Sequence, residues 1–258
     1  RELVRVRVDV ADELTRVKLK VTTLFKAREI KITSPTKCRW TKAFIAWIRD
    51  DVIPSLDLAV GVKLKLLLDR FEMYRKEQAE LDRALSKLSK EPRYKVPNAE
   101  LRKLPGVGQL VAMTFLTEMG DLNRFDNRRQ VAAYLGLCPS SNESGQKNDR
   151  KGRITRQGPA RLRKMLCQAA WVSVIRCEDA AAEYHRIKQN QRSRSKKALV
   201  AMMRKLGIKM WHRALACGVS SELEGRDRPG GKNFAPARQR DMSPPSLSPS
   251  LQPIGHGG

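Results

Sequence analysis

Ser144, followed by Gly145, stands at the head of a dense run of cations. Between it and Lys164 lie Lys147, Arg150, Lys151, Arg153, Arg156, Arg161 and Arg163, opposed only by Asp149. The serine sits in a polar stretch, Pro139-Ser140-Ser141-Asn142-Glu143-Ser144-Gly145, and most serines in such loops do no more than shape turns. A serine hydroxyl is a weak nucleophile that needs activation. No histidine lies nearby, so a base would have to be an acidic residue, a water or another domain. Cations at this density can clamp phosphates and stabilise the charge that builds on a phosphoryl group under attack. The same cations can equally form an electrostatic groove that does no chemistry.

A second feature precedes the serine loop. Leu104-Pro105-Gly106-Val107-Gly108 separates two apolar helical segments, the pattern of a helix-hairpin-helix. Gly106 and Gly108 would let the turn approach a nucleic-acid backbone closely, and the amides opening the next helix can bind a phosphate oxygen. A tight helix–helix turn with no ligand reads the same way. Arg102, Lys103 and the overall charge favour the backbone contact.

That charge sets the class of partner. Lys and Arg number 52 against 27 acidic residues, a formal +25 over 258 residues. A surplus of this size favours polyanions through steering and counterion release. No apolar run approaches the roughly 18 residues of a spanning helix, and no signal-peptide pattern opens the sequence, so no membrane role is expected. The five cysteines are scattered and never in C-x-x-C spacing, which fits a reducing compartment better than a disulfide framework. Asp9, Asp12 and Glu13, and likewise Asp50-Asp51, lack a spacing that would converge on a metal, so no metal site is expected in this chain.

The elements that must position these residues read as mainly all-α. Residues 1–30 admit a strand, with Val4, Val6, Val8 and Val10 alternating, or a helix, with Leu3, Val6, Val10, Leu14, Val17, Val21 and Leu24 on one face. The helical pattern runs longer and is preferred, ending near Arg28. Leu64, Leu67, Phe71, Tyr74, Gln78, Leu81, Leu85 and Leu88 form a heptad seam with one polar interruption. Its partner is either the first helix folded back or a second copy. Glu91-Pro92 and Pro97 mark a linker. Helices are predicted over about 98–103, 108–119 and 127–135, with Gly120 and Gly136 as stops and Asp126 as an N-cap. Pro159 opens a helix to about Arg176, and a last helix spans about 196–216. No other strand is expected. The organisation is a helical coiled-coil linker region over 1–97, a compact helical domain over 98–218 and a disordered Pro/Ser/Gly tail over 219–258.

The motifs P-G-V-G, G-D-x-x-R-F, Y-L-G-L-x-P, S-G, G-R-I-T, G-x-x-R-L-R and Q-A-A-W occur in this order between Pro105 and Trp171. This stretch resembles the C-terminal transposase domain of insertion-sequence family 110, serine-dependent, RNA-guided DNA recombinases related to Piv invertases. The resemblance extends through KKALVAMMRKLGIKMW and more loosely back to Arg1. It implies that Ser144 is the residue that attacks DNA. It also implies a bridge RNA that specifies donor and target, assembly into dimers and tetramers, and a bacterial cytoplasmic, nucleoid-associated setting. In the family an RNase-H-like domain with four metal-binding acidic residues comes first. No segment here matches it, so the chain reads as truncated at its N-terminus, with Mg2+ expected at that domain and no cofactor bound by this chain. The alternative is a non-catalytic nucleic-acid-binding helical module. A coiled-coil assembly factor is a third reading.

Overall fold

The computed structural model describes residues 1–32, 40–141 and 151–217, with residues 141, 151 and 152 described for their backbone alone. Ser144, Lys147, Arg150 and the tail expected to be disordered lie outside the described residues.

The first helix, α1, spans Glu2–Ala27. Val10, Leu14, Val17, Val21 and Leu24 are buried as the three-four spacing requires, and Val4, Arg7 and Val8 extend that face toward the N-terminus. Val6 points outward, 48% exposed, so neither sequence pattern describes the first turns fully. A short helix α2, Lys42–Trp47, is capped by the Thr41 hydroxyl accepting from the Phe44 amide. One π-turn (Ile48–Val52) and one 3-10 turn (Ile53–Ser55, with Pro54) carry the chain into α3, Leu58–Leu88.

The seam on α3 finds its partner within the chain. Helices α1 and α3 lie antiparallel, with Leu14 to Phe25 facing Val60 to Phe71, and Phe44, Ile45 and Ile48 closing one end. Gln78, the polar interruption, is explained by Arg7. This guanidinium is only 9% exposed as a residue and bonds Asp82 at 2.6 and 3.1 Å. The Gln78 amide, with its oxygen turned toward Arg7, accepts from it at 2.9 Å. A buried charge so placed is satisfied on both sides, which is the condition for tolerating it.

Residues 91–97 are not a linker. Helix α4 runs over Pro92–Arg102, with Pro92 at its start and Pro97 inside. Proline in a helix interior removes one backbone bond. Here Pro97, Asn98 and Leu101 are buried where α4 meets α5 (Gln109–Met119) and α9 (Ser195–Ala216), and this packing outweighs the local penalty. Helix α5 is the centre of the second core, buried continuously from Ala112 to Met119.

Helix α6 covers Arg128–Tyr134, and its N-cap is Asn127, not Asp126. Asn127 Oδ1 accepts from the Arg129 and Gln130 amides at 2.9 and 3.1 Å. Gln130 reaches back to the Asp126 amide at 2.9 Å, a reciprocal capping arrangement. Asn127→Ala is therefore expected to cost about 1 kcal/mol in thermal or urea unfolding, and Asp126→Ala clearly less. Gly120 and Gly136, both at φ 66°, end α5 and follow α6 as expected.

Against expectation, two strands form. β1 (Pro139–Ser141) and β2 (Lys151–Ile154) make an antiparallel ladder with an irregularity between Pro139 and Ser141. Three or four residues are too few for an alternation to register in sequence. Helix α7, Ala160–Arg176, follows with Pro159 as its cap residue rather than its first turn. Helix α8, Glu178–Lys188, was not foreseen, because only Tyr184 of its residues is buried and the periodic signal is weak. Its end is a pair of left-handed residues, Gln189 and Asn190, before a 3-10 turn and α9.

Candidate nucleic-acid interface and serine loop

Ser144 lies in sequence between β1 and β2, and the base of the stem that these strands form is locked to the helical core by backbone contact. The Thr155 amide donates to the Cys138 carbonyl at 2.9 Å and the Arg156 amide to the Gly136 carbonyl at 3.2 Å. A methyl added at Gly158 (φ 132°) would lie 1.9 Å from the Tyr134 carbonyl oxygen. One added at Gly136 would lie 2.9 Å from the Arg156 and Gln157 backbone. Glycine is thus required at both positions by the approach of two chain segments. Arg156 itself, at φ 55°, adopts a left-handed conformation that non-glycine residues seldom take, a local strain of the kind that gathers at functional sites.

The predicted cations divide by what they touch. Arg163 faces inward, donating to the Gly158 carbonyl at 2.8 Å and the Leu135 carbonyl at 3.4 Å, so it braces the same junction. Burial, and next the charge of Arg156, lower its pKa, although a guanidinium stays protonated. Arg161 is held by Asp9 of α1 through bonds of 2.8 to 3.2 Å, and Lys164 pairs with Asp12 one turn further. These carboxylates, whose spacing suggests no metal site, tie α1 to α7. Arg153 and Arg156 are exposed and pair with no acidic group among the described residues. For Lys151 only the backbone, in β2, is described. Exposed cations that pair with no carboxylate among the described residues are available to an anion.

The turn with Gly106 and Gly108 lies elsewhere on α7. Gly106 (φ 79°) packs on the α7 backbone, where a methyl would meet the Ala169 carbonyl oxygen at 2.2 Å. Packing alone accounts for this glycine. Gly108, the N-cap of α5, is exposed and has nothing within 4 Å of its Cβ position, so a ligand backbone can reach the first amides of α5 there. Ala169 is ten residues beyond Pro159, about 15 Å along a helix, so the two regions are separate contact points on one spine.

Sequence reasoning passed over three supporting residues. Arg124 stacks on Phe125 and Tyr134, 4.6 and 4.4 Å from their ring centres, and donates to the Met119 carbonyl. Glu118, 3% exposed, accepts from Arg5 at 2.9 and 3.2 Å. Both lie within or beside G-D-x-x-R-F, whose regular spacing was the available signal. Thr155 buries its hydroxyl oxygen at the stem base with no partner among the described residues.

With this geometry in view, residues 98–186 match the model of the Transposase IS116/IS110/IS902 family, a span holding the turn, the stem and α7. Among curated relatives, the putative transposase y4qE of Sinorhizobium fredii is 29% identical over 173 residues, 66% of this chain and 39% of that protein. The putative transposase y4rJ of the same organism is 38% identical over 117 residues, 44% of this chain and 29% of its own length. The pilin gene-inverting protein of Moraxella bovis is 26% identical over 106 residues, covering 41% of this chain and 33% of that protein. The chain thus spans about two fifths or less of these relatives. Among the described residues no helix is long and apolar enough to cross a membrane.

Proposed function

We propose that this chain is the DNA-handling, strand-transfer part of an insertion-sequence transposase, with Ser144 as nucleophile. The observation that supports this most is the anchoring of the serine loop. The strands that flank the Ser144 segment are fixed at their base by Gly136, Gly158 and Arg163, and Arg153 and Arg156 there pair with no acidic group among the described residues, a support that a reacting group needs.

In the proposed reaction the Ser144 oxygen attacks a DNA phosphorus. One O–P bond forms, and the bond from phosphorus to a deoxyribose oxygen breaks. The serine proton passes to a water or carboxylate, and the departing oxygen gains a proton. A hydroxyl of a second strand then attacks the phosphoserine and frees the enzyme. Arg153 and Arg156, with Lys147, Arg150 and Lys151, offset charge on the non-bridging oxygens or hold backbone nearby. Gly106 shapes the turn, and Gly108 opens the α5 amides to a further phosphate. The Mg2+ implied by the resemblance finds no donor set among the described residues, where no cluster of three or more metal-ligating side chains occurs. No step above passes through it. A guide RNA and assembly into dimers or tetramers belong to the same proposal and rest on the resemblance.

Ser144→Ala is expected to abolish any covalent protein–DNA product, trapped on a denaturing gel with end-labelled DNA, while leaving salt-dependent DNA binding within about twofold. Equal adduct from the variant would end the serine reading. Binding with no adduct from the native chain under any condition would favour the non-catalytic module.

A further inference from the structure

Helix α3 carries two apolar stripes. One faces α1. The other, Leu58, Val62, Leu66 and Met73, follows steps of four and seven on the outer side and is exposed. Beside it Leu19 of α1 is 61% exposed, with Leu66 at 55% and Val62 at 50%. Between the two helices these side chains border a groove of about 930 Å³ floored by Leu24 and Leu67. Four cations rim it: Lys20, Arg28, Lys63 and Arg70. No carboxylate lines it, and none of the four forms an ion pair among the described residues.

We infer that this groove is a docking site for an amphipathic helix of a partner protein, one with aliphatic residues along one face and acidic residues flanking them. The aliphatic floor calls for an apolar ridge at helical spacing, the mode in which a helix seats in a groove. The rim calls for carboxylates. A second copy of this chain is a poor occupant, because two-fold pairing would set the four cations against their own copies, and facing like charges disfavour association. Nucleic acid is poorly served as well. Its phosphates would meet the four cations, but the aliphatic floor would go unused, because no aromatic ring lines the groove for a base to stack on. The face from Ala59 to Arg70 is about 16 Å long, enough for three turns of a partner helix. This inference stands apart from the chemistry of Ser144.

The test is fluorescence anisotropy with the full chain and a labelled helical peptide of about five turns, roughly 18 residues, carrying leucines at i, i+4, i+7 and i+11 and glutamates beside them. A second peptide has lysines in place of the glutamates. The glutamate peptide should bind saturably and at least tenfold more tightly than the lysine peptide. Leu66→Asp and, independently, Val62→Asp should weaken it at least tenfold. Lys63→Glu with Arg70→Glu should reverse the preference between peptides. Both apolar positions are half exposed, so the melting temperature should not change. Three results would overturn the proposal. One is unchanged peptide binding in both aspartate variants, which leaves only charge attraction. Another is a dimer in sedimentation that Leu66→Asp converts to monomer while no peptide binds. The third is single-stranded RNA affinity that Leu66→Asp removes while no peptide binds.

Discussion

Gly158→Ala is expected to be the most damaging small substitution in the described part of the chain. The added methyl would lie 1.9 Å from the Tyr134 carbonyl oxygen and 3.1 Å from its carbon, at a φ of 132° that side-chain-bearing residues rarely adopt. Neither obstacle is a flexible side-chain end, so the backbone must move. Movement separates Gly158 from the Tyr134–Gly136 turn and breaks the 2.8 Å bond from Arg163. The cost is on the order of 3 kcal/mol, the range of strain at a special backbone position. In a chain of this size that corresponds to a fall in melting temperature of roughly 6–12 °C. Because the stem rests on this contact, DNA adduct formation should fall further than stability alone explains at temperatures where the variant is folded. Gly108→Ala is the control. Its φ is −85° and its Cβ position is open, so the melting temperature should hold. A Gly158→Ala protein that melts like the native chain would show that the junction yields easily and is no anchor.

Arg5→Met should be the second large effect. Glu118 lies in the core helix α5 with its side chain only 4% exposed, and Arg5 meets both its oxygens from α1. Burial pushes the Glu118 pKa up, but the hydrogen bonds and charge of Arg5, aided by Arg1, overcome that and hold it below the usual carboxylate range. A carboxylate with a depressed folded-state pKa contributes stability that is present above its unfolded value and is lost as pH falls through the folded one. Methionine keeps the length and apolar stem of Arg5 but removes both its bonds, leaving the buried carboxylate only the longer ion pair with Arg1 at 3.7 Å. At neutral pH this should cost about 3 kcal/mol. Burial then raises the Glu118 pKa in the variant, so the variant gains relative stability as acid neutralises the group. Urea unfolding across the acid range checks this. The gap between native and variant proteins should narrow as pH drops through the carboxylate range. A constant gap would place the loss in packing and not in charge.

Several of these features were legible before any fold was known. The excess of cations pointed to a polyanionic partner, because net charge acts at long range whatever the topology. Helices α1, α3, α5, α7 and α9 were readable because each buries a broad face, which imposes the three-four spacing on its residues. Gly120 and Gly136 were legible as stops, since a left-handed position after a helix selects glycine locally. The order of the motifs, from P-G-V-G to Q-A-A-W, pointed to the family whose model residues 98–186 match.

What remained open depended on contacts between distant parts of the chain. The seam on α3 was equally compatible with a second copy, and only folding showed α1 lying on it, with Arg7 answering Gln78 and Asp82. Pro92 and Pro97 read as breakers until burial against α5 and α9 kept α4 helical. Nothing local distinguishes Arg161, paired with a carboxylate 152 residues away, from Arg153, which pairs with none among the described residues. Nor does it distinguish Gly106, pressed on α7, from Gly108, which is open. Periodicity and caps are short-range consequences of one chain's own geometry, and sequence carries them directly. Which charges are neutralised and which glycines are crowded follows from which surfaces meet, and that is settled only when the whole chain buries its apolar area at once.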